Sequence, residues 1–120
     1  MATITTINEI NSTGLATLTF SAASVGGDKY PNVGRSFVVI VNSSEATSVI
    51  TFAAQTTSFD SPIYGPAVKN STTISVAAGR TAYVGPMEGQ AFNDVDGNVN
   101  LTYSSHTGVT IAICVVNNNN

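Results

Sequence analysis

Residues 98–104 read Asn-Val-Asn-Leu-Thr-Tyr-Ser, and polar and apolar side chains alternate along them without a break. In an extended chain Val99, Leu101 and Tyr103 point to one side, and the Asn, Thr and Ser side chains point to the other. A period of two is the pattern of a β-strand with one buried and one exposed face. We therefore predict a strand here, with its apolar face in a core.

The same period recurs elsewhere in the chain. It predicts further strands whose inward faces carry Ile50 with Phe52, Ile74 with Val76, Ala82 with Val84, and the set Val109, Ile111, Ile113 and Val115. Residues 37–41, Phe-Val-Val-Ile-Val, are apolar on both faces, which predicts a central strand that is covered on both sides.

The composition favours strands over helices. Val, Ile and Thr, which branch at Cβ and suit strands, make up 39 of the 120 residues, whereas Leu, Glu and Lys together supply only eight. Turn residues separate the short apolar runs. We predict an all-β fold, an antiparallel β-sandwich or jelly-roll-like domain of roughly eight short strands with little or no helix.

The length fits one domain, and we assign residues 13–116 to the sandwich. Residues 1–12 carry Ile4, Ile7 and Ile10 at a spacing closer to a helical turn, among threonines that favour a strand. We expect this segment to be an N-terminal arm or an edge strand. The run of four asparagines at 117–120 is expected to be a disordered tail.

Two stretches, 24–35 and 55–71, are rich in Gly and Pro and are predicted to be loops. They hold five of the eleven charged residues, and long loops often carry binding residues. By loop position and chemistry, the predicted partner contacts are Tyr30, Arg35, Tyr64, Lys69 and Arg80.

The charges argue against some classes of partner. Only 9% of residues are charged, the net charge is −3, and the four basic side chains form no cluster in the sequence. We expect no nucleic-acid binding and no polybasic membrane contact, since both need clustered Lys or Arg. No apolar run reaches the roughly 20 residues of a membrane helix, and residues 1–6 do not read as a signal peptide, so we expect synthesis in the cytoplasm without export.

Asp94, Asp96 and Asn98 place oxygen atoms at alternating positions around Gly97, which partly resembles a calcium loop. The full loop also needs a glycine after its third ligand and a distant glutamate, and both are missing. Asp96-Gly97 is also the preferred pair for a two-residue type I′ hairpin. We predict a plain turn, with calcium as the lesser alternative. An acid–base pair of Asp94 and Asp96 is not expected, because solvent at a turn keeps both ionised.

No motif predicts an enzyme or a cofactor. The single histidine, His106, falls in a predicted hairpin tip, and no nucleophile elbow accompanies it. The single cysteine, Cys114, lies in an apolar run and is predicted to be a buried small hydrophobe.

One stretch of the chain has a familiar order of strands and turns. After the apolar strand 37–41 and Asn-Ser-Ser at 42–44, residues 74–116 run through an Ala-Gly-Arg turn, Tyr-Val-Gly-Pro at 83–86, Phe-Asn-Asp at 92–94, Leu-Thr-Tyr-Ser at 101–104 and a last strand with Val-Thr-Ile-Ala at 109–112. This order resembles the small β-sandwich decoration (cement) proteins of tailed-phage capsids over about two thirds of the chain. It is a pattern of strands and turns without a chemical motif.

The resemblance implies a virion structural protein on the capsid surface that binds the major capsid protein and neighbouring copies of itself, as a homo-dimer or homo-trimer, and stabilises the head. The alternative is a carbohydrate-binding or receptor-binding module of a phage tail or fibre. Such a module would use exposed aromatic side chains, for which Tyr30, Tyr64 and Tyr83 are available, although the chain has no Trp.

Overall fold

The computed structural model describes residues 2–10, 14, 17–32, 35–54, 58–61, 65–68, 71–87 and 92–116. These residues form strands and turns with essentially no helix, as the composition predicts. The strands are β1 (Ala2–Thr3), β2 (Ile7–Ile10), β3 (Ser21–Ala22), β4 (Asp28–Pro31), β5 (Ser36–Asn42), β6 (Ser48–Phe52), β7 (Ser58–Ser61), β8 (Gly65–Val68), β9 (Thr72–Val76), β10 (Thr81–Val84), β11 (Asn98–Tyr103) and β12 (Val109–Val116).

Ten of these strands form two sheets of the β-sandwich kind. The first sheet has the order β1-β4-β11-β6-β9, and the second has the order β10-β5-β12-β2, with β3 also pairing with β12. Most pairings are antiparallel, as predicted. Two are parallel, β1 with β4 and β2 with β12, so the sheets are mixed at the N-terminal strands.

The core lies between the two sheets. Alternate side chains of each strand point inward, and the largest fully buried ones include Tyr30, Phe52, Ile40, Leu101 and Ile111. The predicted inward faces of β6, β11 and β12 are confirmed, because Ile50, Phe52, Val99, Leu101, Val109, Ile111 and Ile113 are all buried. Full burial of a Val, Leu, Ile or Phe side chain is worth about 1.5–3 kcal/mol, so this layer holds the sheets together.

β5 is covered on both faces, as its unbroken apolar run predicts. Val38 and Ile40 point into the main core, while Val39 points to the opposite face and joins a second cluster with Ala112 and Cys114. Leu18 packs against this second cluster. Cys114 is a free, buried thiol, which confirms its predicted role as a small hydrophobe.

Both predicted loops contain strands. β4 lies within 24–35 and pairs with β11, and the antiparallel pair β7–β8 lies within 55–71. β4 could not be predicted from the sequence, because its four residues, Asp-Lys-Tyr-Pro, include two charges and a proline, which are unusual inside a sheet. Asp28 is nevertheless buried, with its carboxylate held by hydrogen bonds.

The N-terminal segment joins both sheets. β1 pairs with β4 at the edge of the first sheet, and β2 pairs with β12 at the edge of the second. Between them Ile4 is buried in the core, and its N–H donates to the carbonyl of Lys29 at 2.7 Å. Of the two expectations for residues 1–12, the structure therefore has edge strands over residues 2–3 and 7–10. The tail at 117–120 lies outside the described residues.

Candidate functional site

The turn between residues 94 and 98 is organised by the carboxylate of Asp94. Its Oδ1 accepts hydrogen bonds from the backbone N–H of Asp96 at 2.9 Å and of Asn98 at 3.0 Å, and its Oδ2 accepts one from Asn100 Nδ2 at 3.2 Å. The hydrogen bond from the N–H of Asn98 contributes most to a pKa of Asp94 below its usual range. The hydrogen bonds from Asp96 and Asn100 and the positive charge of Lys29 lower this pKa further. Asp94 therefore acts as an ionised cap of its own turn.

The predicted type I′ hairpin is wrong in its geometry. A type I′ turn needs positive φ at both central residues, but no residue other than glycine among those described has a positive φ. The N–H of Gly97 donates to the carbonyl of Asp94, the N–H of Asp94 donates to the carbonyl of Asn98, and Gly97 alone has φ of +80°. This is a type I turn followed by a left-handed glycine, the three-residue hairpin loop.

The described part of the chain contains no set of side chains that would support the calcium alternative. No group of three or more His, Cys, Asp or Glu side chains is close enough there to hold a metal ion. Asp96 and Asn98 donate their N–H groups to Asp94 Oδ1, and Asn100 Nδ2 donates to Oδ2, so both oxygens of that carboxylate already have donors. The arrangement serves to fix the hairpin.

The contact role predicted for Tyr30 is wrong, because the side chain has no solvent exposure. In β4 the alternation sends Lys29 outward and Tyr30 into the core, where its hydroxyl oxygen has no hydrogen-bond partner. Burial raises the pKa of Tyr30 above its usual range. Tyr30 is thus a core residue, and it cannot form part of an aromatic sugar platform.

The predicted contacts Arg35 and Arg80 do not lie on one surface. Arg35 precedes β5 and Arg80 precedes β10; both are exposed. Because β5 and β10 are antiparallel, these two side chains lie at opposite ends of the sandwich. Tyr64 and Lys69 lie outside the described residues.

Buried polar residues stabilise the end of the sandwich that carries Arg80. Asn42 has no solvent exposure, and its Nδ2 donates to the carbonyls of Ala46 and Val76 at 2.8 and 2.9 Å. Its Oδ1 accepts from the N–H and the hydroxyl of Ser44.

A second buried polar contact joins β11 to β4, where Tyr103 donates its hydroxyl to Asp28 Oδ2 at 2.5 Å. Burial and the adjacent carboxylate raise the pKa of Tyr103, so its hydroxyl keeps its proton and remains a hydrogen-bond donor to Asp28.

The outer face of the first sheet is polar and almost uncharged. Thr102, Thr51 and Thr73 stand opposite one another on β11, β6 and β9, and they form a row across three strands. Lys29 is the one charged side chain on this face among the strand residues described. Hydroxyl and amide groups therefore provide most of its hydrogen-bonding capacity.

Tyr83 is an exposed aromatic residue that is absent from the predicted contacts. It lies on β10, at the edge of the second sheet, with 70% of its side chain accessible. The sequence carries the signal, because Ala82 and Val84 alternate as inward residues and so place Tyr83 outward. β10 follows β9 directly through the turn at 77–80, and β9 is the corresponding edge of the first sheet.

Comparison of the chain with protein-family models, curated proteins and solved structures gives no significant match. Within the described residues, no helix has the length and apolar character needed to cross a membrane. Statements about function therefore rest on this chain's own surfaces.

Proposed function

We propose that the protein is a virion structural protein, a capsid decoration protein that binds the outer surface of a major capsid protein lattice. It acts there without catalysis and without a cofactor, after synthesis in the host cytoplasm. The observation that carries the proposal is the pair of adjacent sheet edges, β9 and β10, whose strand residues include no charge. Soluble proteins usually protect such edges with charges, prolines or bulges, so edge strands whose described residues carry no charge suit a chain that is held in a permanent assembly.

Two further features support this role. The outer face of the first sheet presents hydroxyl and amide groups with one lysine, which suits a broad contact of many modest hydrogen bonds. Repeated over a lattice, weak contacts add up to a high avidity without a single tight site. The low charge of the whole chain, 9% of residues, fits a molecule with much of its surface against neighbours.

The decisive experiment is quantitative mass spectrometry of purified virus particles from the source. A decoration protein is expected at a copy number close to a simple ratio with the main shell protein. A few copies per particle would place the chain in a tail or at a vertex, and complete absence would overturn the proposal.

A lattice-binding assay maps the contact. Recombinant protein carrying Thr51→Lys and Thr102→Lys on the outer face of the first sheet should occupy particles stripped of the native protein less than wild type does. Truncation of residues 2–10 is not a usable variant, since these residues form edge strands of both sheets and bury Ile4. Unchanged occupancy of the double variant would show that another face binds the lattice.

The second candidate is a carbohydrate-binding or receptor-binding module, and it is favoured by the exposure of Tyr83. An aromatic ring beside polar side chains can stack on a sugar. A glycan array should then show binders that Tyr83→Ala abolishes, whereas an array without binders would remove this candidate.

A further inference from the structure

The edge strand β10 has a free side whose backbone groups can be assigned. The N–H of Asn42 on β5 donates to the carbonyl of Arg80, so this carbonyl, and by alternation the backbone groups of Ala82 and Val84, face β5. Thr81 and Tyr83 therefore direct their N–H and C=O groups away from the sheet. As far as the described residues show, no strand lies on that side of β10.

The edge strands of the two sheets are not equally suited to pairing. β1 and β3 have two residues each, and β2 carries the charged Glu9. β9 presents Thr73 and Ser75, both exposed and hydroxyl-bearing, on its outer face. β10 has no charged residue and presents Tyr83, the largest exposed apolar side chain among the described residues. Tyrosines that a partner buries are enriched at the centres of protein interfaces, so β10 is the edge best suited to a partner.

We propose that β10 pairs with β10 of a second copy of this chain, antiparallel about a twofold axis, so that the two second sheets become one continuous sheet. In this register Thr81 of one copy lies opposite Tyr83 of the other, and the two Ala82 residues face each other at the axis. Each Thr81–Tyr83 pair exchanges two backbone hydrogen bonds, so all the free groups of these residues are used. Each tyrosine ring packs on the threonine of the other copy, on the outer face.

The charges near the strand permit this self-pairing. The strand itself is uncharged, and the adjoining Arg80 residues of the two copies lie at opposite ends of the paired segment. At about 3.4 Å per residue they are roughly 14 Å apart, beyond the Debye length of about 8 Å at physiological ionic strength. A C2 interface needs one patch that complements itself, and β10 meets that condition. The inference concerns the isolated protein and does not depend on the capsid proposal.

Analytical ultracentrifugation of the purified chain tests the pairing. Wild type is expected to show a concentration-dependent monomer–dimer equilibrium, and Tyr83→Lys should weaken the dimer at least tenfold. The matched control is Thr73→Lys, an exposed position on β9, which should leave the equilibrium unchanged. A wild-type chain that remains monomeric up to about 1 mM, or a dimer that Thr73→Lys weakens as much as Tyr83→Lys does, would overturn the proposal.

A cross-link tests the register. The two Ala82 residues form a non-hydrogen-bonded pair with Cα atoms about 4.5 Å apart, which falls within the range that a disulfide spans. Ala82→Cys should therefore oxidise to a covalent dimer, whereas wild type, whose Cys114 is buried, should not. If Ala82→Cys stays reduced under conditions in which wild type is dimeric, the pairing does not have this register. These measurements use no virus particle, so their failure leaves the capsid proposal standing, and the reverse also holds.

Discussion

The hydroxyl of Tyr30 is buried without a hydrogen-bond partner, which costs the folded state the desolvation of a polar group. Tyr30→Phe keeps the ring in the core and removes that cost. We expect the variant to raise the free energy of unfolding by about 1 kcal/mol in urea denaturation.

Tyr103→Phe is the control variant, and we expect it to lower the free energy of unfolding where Tyr30→Phe raises it. The hydroxyl of Tyr103 donates to the carboxylate of Asp28, and hydrogen bonds to charged groups contribute about 1.5–3 kcal/mol. This variant should be destabilised by an amount in that range. A loss of stability in Tyr30→Phe similar to that in Tyr103→Phe would mean that the Tyr30 hydroxyl is bound in solution.

The two tyrosines also predict a response to alkaline pH. Burial raises the pKa of Tyr30, and burial with the Asp28 carboxylate raises that of Tyr103, whereas in the unfolded chain both titrate near about pH 10. Above that pH the unfolded state binds fewer protons than the folded state, so stability falls as pH rises. Their contribution should be complete below about pH 10 and lost progressively above it. Unfolding curves from pH 8 to 12 should show a flatter decline for Tyr103→Phe than for wild type.

Asn42 is the polar residue on which the most turn contacts depend. Its side chain satisfies the carbonyls of Ala46 and Val76 and the N–H of Ser44. Asn42→Ala leaves several of these groups without a partner at a fully buried position, and we expect a loss of about 2–4 kcal/mol in the free energy of unfolding. Ser43→Ala removes one hydrogen bond at an exposed position and should cost less than about 1 kcal/mol. Equal losses in the two variants would contradict the role given to Asn42.

Gly79 and Gly108 lie in connections between strands, and a comparison of their alanine variants distinguishes the cost of backbone strain from the cost of steric overlap. Gly79, before β10, and Gly108, before β12, have nearly equal positive φ, +72° and +74°. A Cβ added at Gly79 has nothing within 4 Å, but at Gly108 it lies 2.9 Å from the Cβ of Ser44. Gly79→Ala should cost about 1–2 kcal/mol from the left-handed backbone alone. Gly108→Ala should cost at least about 1 kcal/mol more, because the connection after β5 must also move. Thermal unfolding of the two variants compares them directly, and equal losses would mean that Ser44 moves away freely.

Elements with a clean period of two could be predicted from the sequence. β6, β11 and β12 have the predicted inward faces, because a half-buried strand imposes that period on its side chains. β4 could not be found in this way, since Asp28 is buried through hydrogen bonds and Pro31 lies at the end of the strand. The position of the turn at 94–97 could be predicted from the sequence, but its turn type could not, because an Asp-Gly pair suits more than one hairpin geometry.

Across the whole molecule, the sequence predicts the layers but not the partners of the strands. Nothing in residues 2–10 indicates parallel pairing with β4 and β12, because register depends on contacts between segments far apart in the chain. The candidate contacts had the same limitation. Loop position suggested Tyr30, which the fold buries, whereas the position of Tyr83 at a sheet edge follows only from the pairing of β10.

The position of β12 has a consequence for how the protein is made. β12 lies between β5 on one side and β2 and β3 on the other, and it is synthesised after all three. Until residues 109–116 have left the ribosome, β5 has no strand on that side and β2 and β3 have no strand to pair with. The nascent chain therefore carries the apolar residues of β5 without their β12 partner until residues 109–116 emerge, and it is exposed to aggregation over that interval.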